Sequence, residues 1–257
     1  MKIIFYNIFE GCIDTDQFKC LVNFANDESP DILALSEANH WENNNFEKLN
    51  YFLEQTKYEY HTFSKSNTDF NLVLFSKYPI TKFQIITQNI WHSILKVKIK
   101  NINYFVLHLN PKLETDRLKE IEELFSKYVS FDEQNIFMGD FNSLSRIDNY
   151  NEEKLTKELE ERNISKFLDN NSNLTFKVHS KFKEFDFIDT FYKFNSIFQH
   201  SVPTQINTDA YHFTKLRLDF FYVSKEIENK ITNNEIINTQ LTNKISDHYP
   251  IKLRMKK

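Results

Sequence analysis

The stretch NIFMGDFNS, residues 135–143, decides how the rest of the chain is interpreted. Its first half is short and apolar, which is typical of a buried strand. It ends in Asp140 and Asn142, two residues apart, directly after Gly139, one of the chain's two glycines. An unpaired charge at the end of a buried strand is costly, so the stretch predicts polar side chains that serve a site.

Short strand-like runs alternate along the chain with segments of helical periodicity. We predict helices around 18–25, over 41–56, around 118–125 and over 152–161, and surface loops at 146–151 and 169–173. Strands are predicted at 2–8, 31–37, 58–63, 71–75, 83–87, 94–99, 104–109, 135–140, 216–224 and 249–255. Because strands and helices do not alternate strictly, the pattern favours a mixed sheet or two packed sheets with helices outside.

Length and composition are those of a soluble globular protein, and we expect residues 1–257 to form one domain. Hydrophobic residues make up 40% of the chain and charged residues 26%, which is enough for a substantial core. The formal net charge is −4 at pH 7, whereas strong non-specific DNA-binding proteins are usually basic. Nucleic-acid binding would therefore depend on a local basic rim.

The counts of glycine and cysteine exclude several kinds of site. With Gly11 and Gly139 alone, the chain cannot form a Walker A loop or a dinucleotide-binding fingerprint. Cys12 and Cys20 make neither a disulfide framework nor a zinc site by themselves, so we expect reduced thiols. The N-terminal apolar run is too short for a signal peptide, and no stretch approaches the ~18 apolar residues of a membrane span. We expect a cytoplasmic protein without a transmembrane segment.

Polar side chains recur where the predicted strands begin or end, and Asp219 interrupts the strand predicted at 216–224. They are Asn7, Glu37, His108, Asn110, Asp140, Asn142, Asp219, Asp247 and His248. If they meet at one edge, their oxygen ligands suit Mg²⁺ or Mn²⁺, with substrate phosphate supplying further ligands. Each residue taken singly also has a structural explanation: Asn7 as a cap, His108 as a satisfied buried histidine, Asp219 as a partner of an arginine.

The order of these residues resembles that of the endonuclease/exonuclease/phosphatase superfamily, which includes deoxyribonuclease I and the exonuclease III-type apurinic endonucleases. The motifs are FYNIF, LSE, VLFSKYPI, LHLNP, GDFNS, RLDFF and SDHYPI, in family order from residue 5 to residue 251. GDFN and SDHYPI are specific, and FDFIDTFYKF at 185–194 is similar to a segment of the group's nucleases. The resemblance implies a four-layer α/β sandwich, in which two mixed β-sheets pack face to face with flanking helices.

The resemblance also implies which residues hold the metal and the substrate. Glu37 would be the principal metal ligand and Asp247 a further one, with Asn7 close to both the metal and the phosphate. Asn142 would contact the scissile phosphate, and Asn110 is a looser assignment to substrate binding.

Four residues would carry the chemistry on the same resemblance. Asp140 would orient or deprotonate the attacking water. His248 would bind or protonate a phosphate oxygen, or act as the base, and Asp219 would fix its tautomer. His108 would stabilise the charge that develops on the phosphate or the leaving group.

The implied function is a Mg²⁺- or Mn²⁺-dependent phosphodiesterase acting on nucleic acid as a monomer, with DNA repair as one setting and 5′-phosphotyrosyl DNA ends among the candidate substrates. The alternative is a phosphoesterase acting on a phospholipid or on a small ester such as an inositol phosphate. A catalytically inactive binding module is the third hypothesis, which the complete residue set argues against. Two departures are Ser36, where many members have Gln, and His108, where apurinic endonucleases have Tyr.

Overall fold

The structure, a computed structural model, describes residues 1–256. The strands are β1 (Lys2–Asn7), β2 (Ile32–Ser36), β3 (Tyr60–Ser64), β4 (Leu72–Ser76), β5 (Lys82–Ile86), β6 (Ile94–Ile99), β7 (Ile102–His108), β8 (Gln134–Asp140), β9 (Ile188–Asp189), β10 (Asp219–Val223), β11 (Ile231–Ile236) and β12 (Ile251–Met255). The helical segments are α1 (Phe9–Cys12), α2 (Thr15–Glu28), α3 (Asn43–Thr56), α4 (Glu114–Lys127), α5 (Glu152–Glu161), α6 (Lys177–Glu184), α7 (Phe191–Phe194) and α8 (Lys225–Glu228).

The strands form two six-stranded sheets, both mixed. The first has the order β11-β12-β1-β2-β4-β3, and the second has the order β5-β6-β7-β8-β10-β9. One parallel pair lies near the centre of each sheet, β1 with β2 and β7 with β8, and the other pairs are antiparallel. The predicted pair of packed mixed sheets is confirmed.

Three apolar layers hold the sheets and helices together. The inner layer lies between the sheets and includes Phe5, Leu74, Val106 and Met138. A second layer packs α2 and α3 on the first sheet, and a third packs α4 and α6 on the second. The order helix, sheet, sheet, helix is the four-layer sandwich that the sequence implied.

Gly139 allows two central strands to approach closely just before the polar residues begin. A Cβ atom there would collide with the carbonyl oxygen of Leu107 on the neighbouring β7. A side chain at this position would force β7 and β8 apart, and with them His108 and Asp140, which lie opposite each other in the parallel register. The glycine in the decisive stretch therefore sets the spacing of the residues that follow it.

Most of the predicted elements are confirmed, with strand bounds within three residues, and six elements were missed. Four of them are the short helical segments α1, α6, α7 and α8. The other two are the short β9 and β11, whose six residues ITNNEI are too polar to suggest a strand. The surface loop predicted at 146–151 is wrong at Asp148, which is buried and bonded to the equally buried Arg217. None of the helices among the described residues is long and apolar enough to cross a membrane.

Candidate active site

Strand register brings four of the predicted residues to one end of the two sheets. In the second sheet, Asp140 lies opposite His108 on the parallel β7 and opposite Asp219 on the antiparallel β10. In the first sheet, the parallel pair β1–β2 places Asn7 opposite Ser36, directly before Glu37. Because carboxyl ends of parallel strands meet at one edge, both sheets contribute to the same cleft.

Asn7 connects the two sheets. Its Nδ2 donates to Glu37 Oε1 at 3.0 Å and lies 3.3 Å from Asp140 Oδ2. Its Oδ1 accepts a hydrogen bond from the backbone N–H of Phe9 at 3.2 Å. With this amide orientation Asn7 positions two carboxylates, and its role as a metal ligand stays a prediction.

Glu37 is held by a left-handed turn, the segment α1. Phe9, Glu10, Gly11 and Cys12 all have positive φ, and a Cβ on Gly11 would collide with the backbone of Asn39. This strained turn aims the backbone N–H of Glu10 at Glu37 Oε2, at 2.8 Å. Trp41 Nε1 and Lys48 Nζ hold the turn by donating to the carbonyl oxygen of Gly11.

Glu37 lies where a cation would be stabilised. Burial and the neighbouring Asp247 raise the pKa of Glu37 to about 7. Two carboxylates confined together repel each other unless a cation lies between them. Both residues line the same cleft, and their carboxylate oxygens are hard ligands of the kind that divalent cations take.

The imidazole ring of His248 lies between two acidic side chains. Its Nδ1 lies 2.8 Å from Asp219 Oδ2, and its Nε2 lies 3.7 Å from Asp140 Oδ2. Burial by itself would lower the pKa of His248, but Asp219 and Asp140 outweigh it and raise the pKa to about 10. The raised pKa favours the protonated ring of His248, a hydrogen-bond donor with a positive charge at neutral pH.

His108 has the opposite electrostatic character. Its Nε2 lies 3.7 Å from Asp140 Oδ2 and 4.0 Å from Glu37 Oε1. Burial, His248 and Lys166 lower the pKa of His108 to about 3, so the ring is neutral. It stacks on a second imidazole, His92, with ring centroids 4.4 Å apart.

Asn142 is the best-anchored amide of the site. Its backbone N–H donates to Asp140 Oδ1 at 2.8 Å, and its Nδ2 donates to the carbonyl oxygen of Leu109 at 2.9 Å. Its Oδ1 accepts from Lys166 Nζ at 2.5 Å. The φ of Asn142 is 51°, in the left-handed region that asparagine tolerates better than most residues.

Asp247 lies beside His212, a histidine that belongs to none of the sequence motifs. His212 Nδ1 lies 3.4 Å from Asp247 Oδ2, and His212 Nε2 lies 3.6 Å from Asp209 Oδ2. Ligand atoms of His212, Asp247 and His248 all lie within 4.8 Å of one another. Hydrogen bonding to His212 and the charge of His248 outweigh burial and keep the pKa of Asp247 below its usual range.

These residues surround a cleft of about 430 Å³. Of the predicted site residues, Glu37, His108, Asp140, Asn142, Asp247 and His248 line it. Asn7 and Asp219 lie behind this lining and hold Glu37, Asp140 and His248 in place.

One predicted residue points elsewhere, and the lining residues that were not predicted include two histidines and a lysine. Asn110 Oδ1 accepts from the backbone N–H of Lys112, so its side chain caps a turn, and its substrate-binding role stays a prediction. His92, Lys166 and His212 line the cleft but belong to no recognised motif. In the sequence, these three residues stand out only as polar residues beside apolar ones, a pattern that many surface positions share.

The segment at 185–194 supports the sheet. Asp189 bonds to Arg217 Nη2 at 2.6 Å and to the backbone N–H of Phe191 at 2.9 Å. Neither this acid nor its neighbours line the cleft. Arg217 therefore pairs with Asp148 and Asp189, which leaves Asp219 to His248.

The chain belongs to the endonuclease/exonuclease/phosphatase family, whose pattern it matches over residues 4–248. Members of this family are phosphoester hydrolases. A search of curated protein sequences finds no match.

Solved structures share the fold over the whole chain. An AP endonuclease from Archaeoglobus fulgidus is 16% identical with a TM-score of 0.77, and both chains are covered at 100%. A family protein from Leptotrichia buccalis is 18% identical with a TM-score of 0.71, again with both chains covered at 100%. The 3′ phosphatase NExo from Neisseria, bound to a product DNA hairpin, is 12% identical with a TM-score of 0.72 and the same coverage.

Proposed function

We propose that this chain is a divalent-metal-dependent phosphodiesterase that hydrolyses phosphodiester bonds in nucleic acid. The observation that carries the proposal is the line of Asp219, His248 and Asp140, in which one imidazole lies between two buried acids at the floor of the cleft. This arrangement provides a positive donor beside a carboxylate base, which is what hydrolysis of a phosphate ester requires.

Asp140 is the candidate base. Its Oδ1 accepts from the backbone of Asn142, and its Oδ2 faces Asn7, His108 and His248. A water at Oδ2 would lose a proton to Asp140 as its oxygen attacks phosphorus and the bond between phosphorus and the leaving oxygen breaks. His248 Nε2 would donate to a non-bridging phosphate oxygen.

His108 would act as a neutral group. Because its pKa lies at about 3, it cannot carry a full positive charge at neutral pH. It can still donate a hydrogen bond to the leaving oxygen as charge develops there.

Glu37 and Asp247 would hold the cation, and Asn7 would keep Glu37 oriented towards it. A divalent cation in this position neutralises phosphoryl charge, which is a recognised contribution of metals to phosphoester hydrolysis.

Nucleic acid is the substrate class we favour. The structures that share the fold include an AP endonuclease and a 3′ phosphatase bound to DNA. Three aromatic side chains, Phe9, Phe70 and Tyr211, line the cleft. Aromatic faces of this kind stack on nucleobases in many proteins that bind single-stranded nucleic acid.

Substrate specificity is tested by hydrolysis of a panel with Mg²⁺ or Mn²⁺ and with EDTA. The panel comprises abasic duplex, single-stranded DNA, RNA, a 5′-phosphotyrosyl oligonucleotide, sphingomyelin and an inositol phosphate. We expect metal-dependent cleavage of at least one nucleic acid, lost with EDTA and in Asp140→Asn. Failure to cleave any nucleic acid, in a folded protein supplied with metal, contradicts the proposal.

A small phosphate ester is the second candidate substrate. Glu10 and Asp209 line the cleft, so part of its wall repels a long polyanion. Turnover of the lipid or the inositol phosphate, with all nucleic acids left intact, would favour this alternative.

A further inference from the structure

We propose that Lys166 binds a non-bridging oxygen of the substrate phosphate directly, as a positive charge in addition to that of His248. This inference rests on the proposed function, because it assigns a residue to the same cleft. No sequence motif includes Lys166, which lies in the connection between α5 and α6.

The backbone of Lys166 is fixed from both sides. Its carbonyl oxygen accepts from Arg117 Nη2 at 2.6 Å, and Arg117 is itself fully buried and bonded to Glu114. The neighbouring Ile164 and Phe167 pack in an apolar cluster. These contacts hold the backbone of Lys166 in place beside the cleft.

The ammonium group has unused donors. Lys166 is only 5% exposed, and its Nζ donates to Asn142 Oδ1. No other hydrogen bond to this ammonium occurs within residues 1–256, although it has three N–H donors. Lys166 lines the same cleft as Asp140 and His248, so its remaining donors are available to a ligand there.

A purely structural lysine at this depth would be expected to form an ion pair. Asp140, Asp209 and Asp247 are close enough to influence its charge, yet none of their oxygens lies within 4.0 Å of Nζ in the described part of the chain. Burial lowers the pKa of Lys166 to about 8, which leaves it mostly protonated at pH 7. A buried cation without an ion-pair partner, beside a cleft, suits an anionic ligand.

The contacts of Asn142 also support direct phosphate binding by Lys166. Its Oδ1 and one N–H are already bonded to Lys166 and to the backbone of Leu109. Only one N–H of its amide is left for a phosphate. Lys166 therefore supplies the strong charge-assisted contact that the asparagine alone cannot supply.

The test compares Lys166→Met with Lys177→Met, an exposed lysine nearby in the chain that does not line the cleft. Inorganic phosphate is the probe, with its affinity measured by calorimetry in the presence of Mn²⁺. We expect Lys166→Met to weaken phosphate binding at least about 10-fold and to lower kcat/KM about 100-fold. Lys177→Met should stay within about two-fold of the original protein, and Lys166→Arg should recover part of the loss.

Lys166 could also act indirectly, by positioning Asn142. To distinguish this from direct contact with phosphate, Lys166→Met is repeated in an Asn142→Ala background. Direct contact predicts that Lys166→Met still weakens phosphate binding there. Loss of the effect in that background, or unchanged phosphate affinity in folded Lys166→Met, overturns the proposal. If Lys166→Met does not fold, Lys166→Gln takes its place in the same comparison.

The two proposals fail in different ways. Phosphate binding that depends on Lys166, in a protein that hydrolyses no substrate, would refute the proposed function and keep the inference. Metal-dependent hydrolysis with no dependence on Lys166 would refute the inference alone.

Discussion

His108 and His248 each lie 3.7 Å from Asp140 Oδ2, yet the first is neutral and the second is charged because their other neighbours differ. His248 has Asp219 at its second nitrogen, whereas His108 Nδ1 is buried without a hydrogen-bond partner among the described residues. The sequence places both residues at strand ends, but it does not reveal which one is charged. That distinction depends on contacts between strands far apart in the chain.

Asp219→Asn tests the charge of His248. With Asp219, the pKa of His248 is about 10, above the ordinary 6.5, so the stabilising interaction is complete below about pH 6.5 and is lost as pH rises through about 10. Without the carboxylate, the imidazolium should lose its proton at lower pH. We expect kcat/KM of Asp219→Asn to fall more than about 10-fold at pH 8 and much less at pH 6. A pH profile parallel to that of the original protein would contradict the assignment.

Glu37→Gln tests the cation site. Removing this carboxylate takes away one charged ligand and relieves its repulsion with Asp247. We expect weaker apparent metal affinity, with activity partly restored at high Mg²⁺, because substrate phosphate still supplies ligands. The measurement is initial rate against metal concentration. Unchanged metal dependence would remove Glu37 from the ligand set.

At the scale of elements, a buried charge network joins the segment before α5, the short β9 and the start of β10. Arg217 Nε lies 2.9 Å from Asp148 Oδ1, and Arg217 Nη2 lies 2.6 Å from Asp189 Oδ2. Its guanidinium also lies over the ring of Phe220, 4.2 Å from the centroid. The two acids are 69 and 28 residues distant in sequence, so the motif RLDFF alone could not identify them.

Arg217→Met should be strongly destabilising. The change leaves two buried carboxylates unpaired, which costs about 3–5 kcal/mol. Arg146→Met is the matched control, since Arg146 pairs with Glu152 where both side chains are more than half exposed, at 69% and 51%. There we expect less than about 1 kcal/mol. Chemical denaturation measures both, and an equally small loss in the two variants would contradict a structural role for the network.

Secondary structure was predictable where apolar periodicity is strong, as in β8 and α2, and was missed where it is weak. β11 lies at a sheet edge and has four consecutive polar residues between Ile231 and Ile236, and α6 is short, with a buried histidine, His179, facing Tyr222. Similarly, α4 buries the charged Glu114, Arg117 and Glu120. Buried charges on a helix become recognisable only when their partners are known.

At the scale of the molecule, the fold followed from the order of motifs along the chain, whereas the substrate did not. The sandwich is shared by structures no more than 18% identical to this chain, so its determinants are few and dispersed. We expect substrate choice to depend on the walls of the cleft, where Lys166, His92 and His212 come from segments without motifs. Specificity therefore lies in the part of the sequence that carries the least recognisable signal.

The charge distribution predicts shallow salt dependence. Among residues 1–256, Lys166 is the only lysine or arginine that lines the cleft, and the net charge of the chain is −4. Binding of a single-stranded oligonucleotide should release few counterions, with a slope of log K against log salt of about −1 to −2. Fluorescence anisotropy of inactive Asp140→Asn with a labelled oligonucleotide measures it. A slope steeper than about −5 would indicate an extended basic surface that the cleft does not contain.

The most direct test of the central claim is the turnover of Asp140→Asn, compared with Asp132→Asn on the exposed loop before β8. Both changes remove one carboxylate, but only Asp140 faces Asn7, His108 and His248 in the cleft. With the best substrate of the panel and saturating Mn²⁺, we predict a loss of about 10³–10⁴ in kcat for Asp140→Asn and less than about two-fold for Asp132→Asn. Both variants should keep the thermal unfolding midpoint of the original protein within a few degrees. A folded Asp140→Asn that retains most of its activity would contradict the assignment of this cleft as the active site.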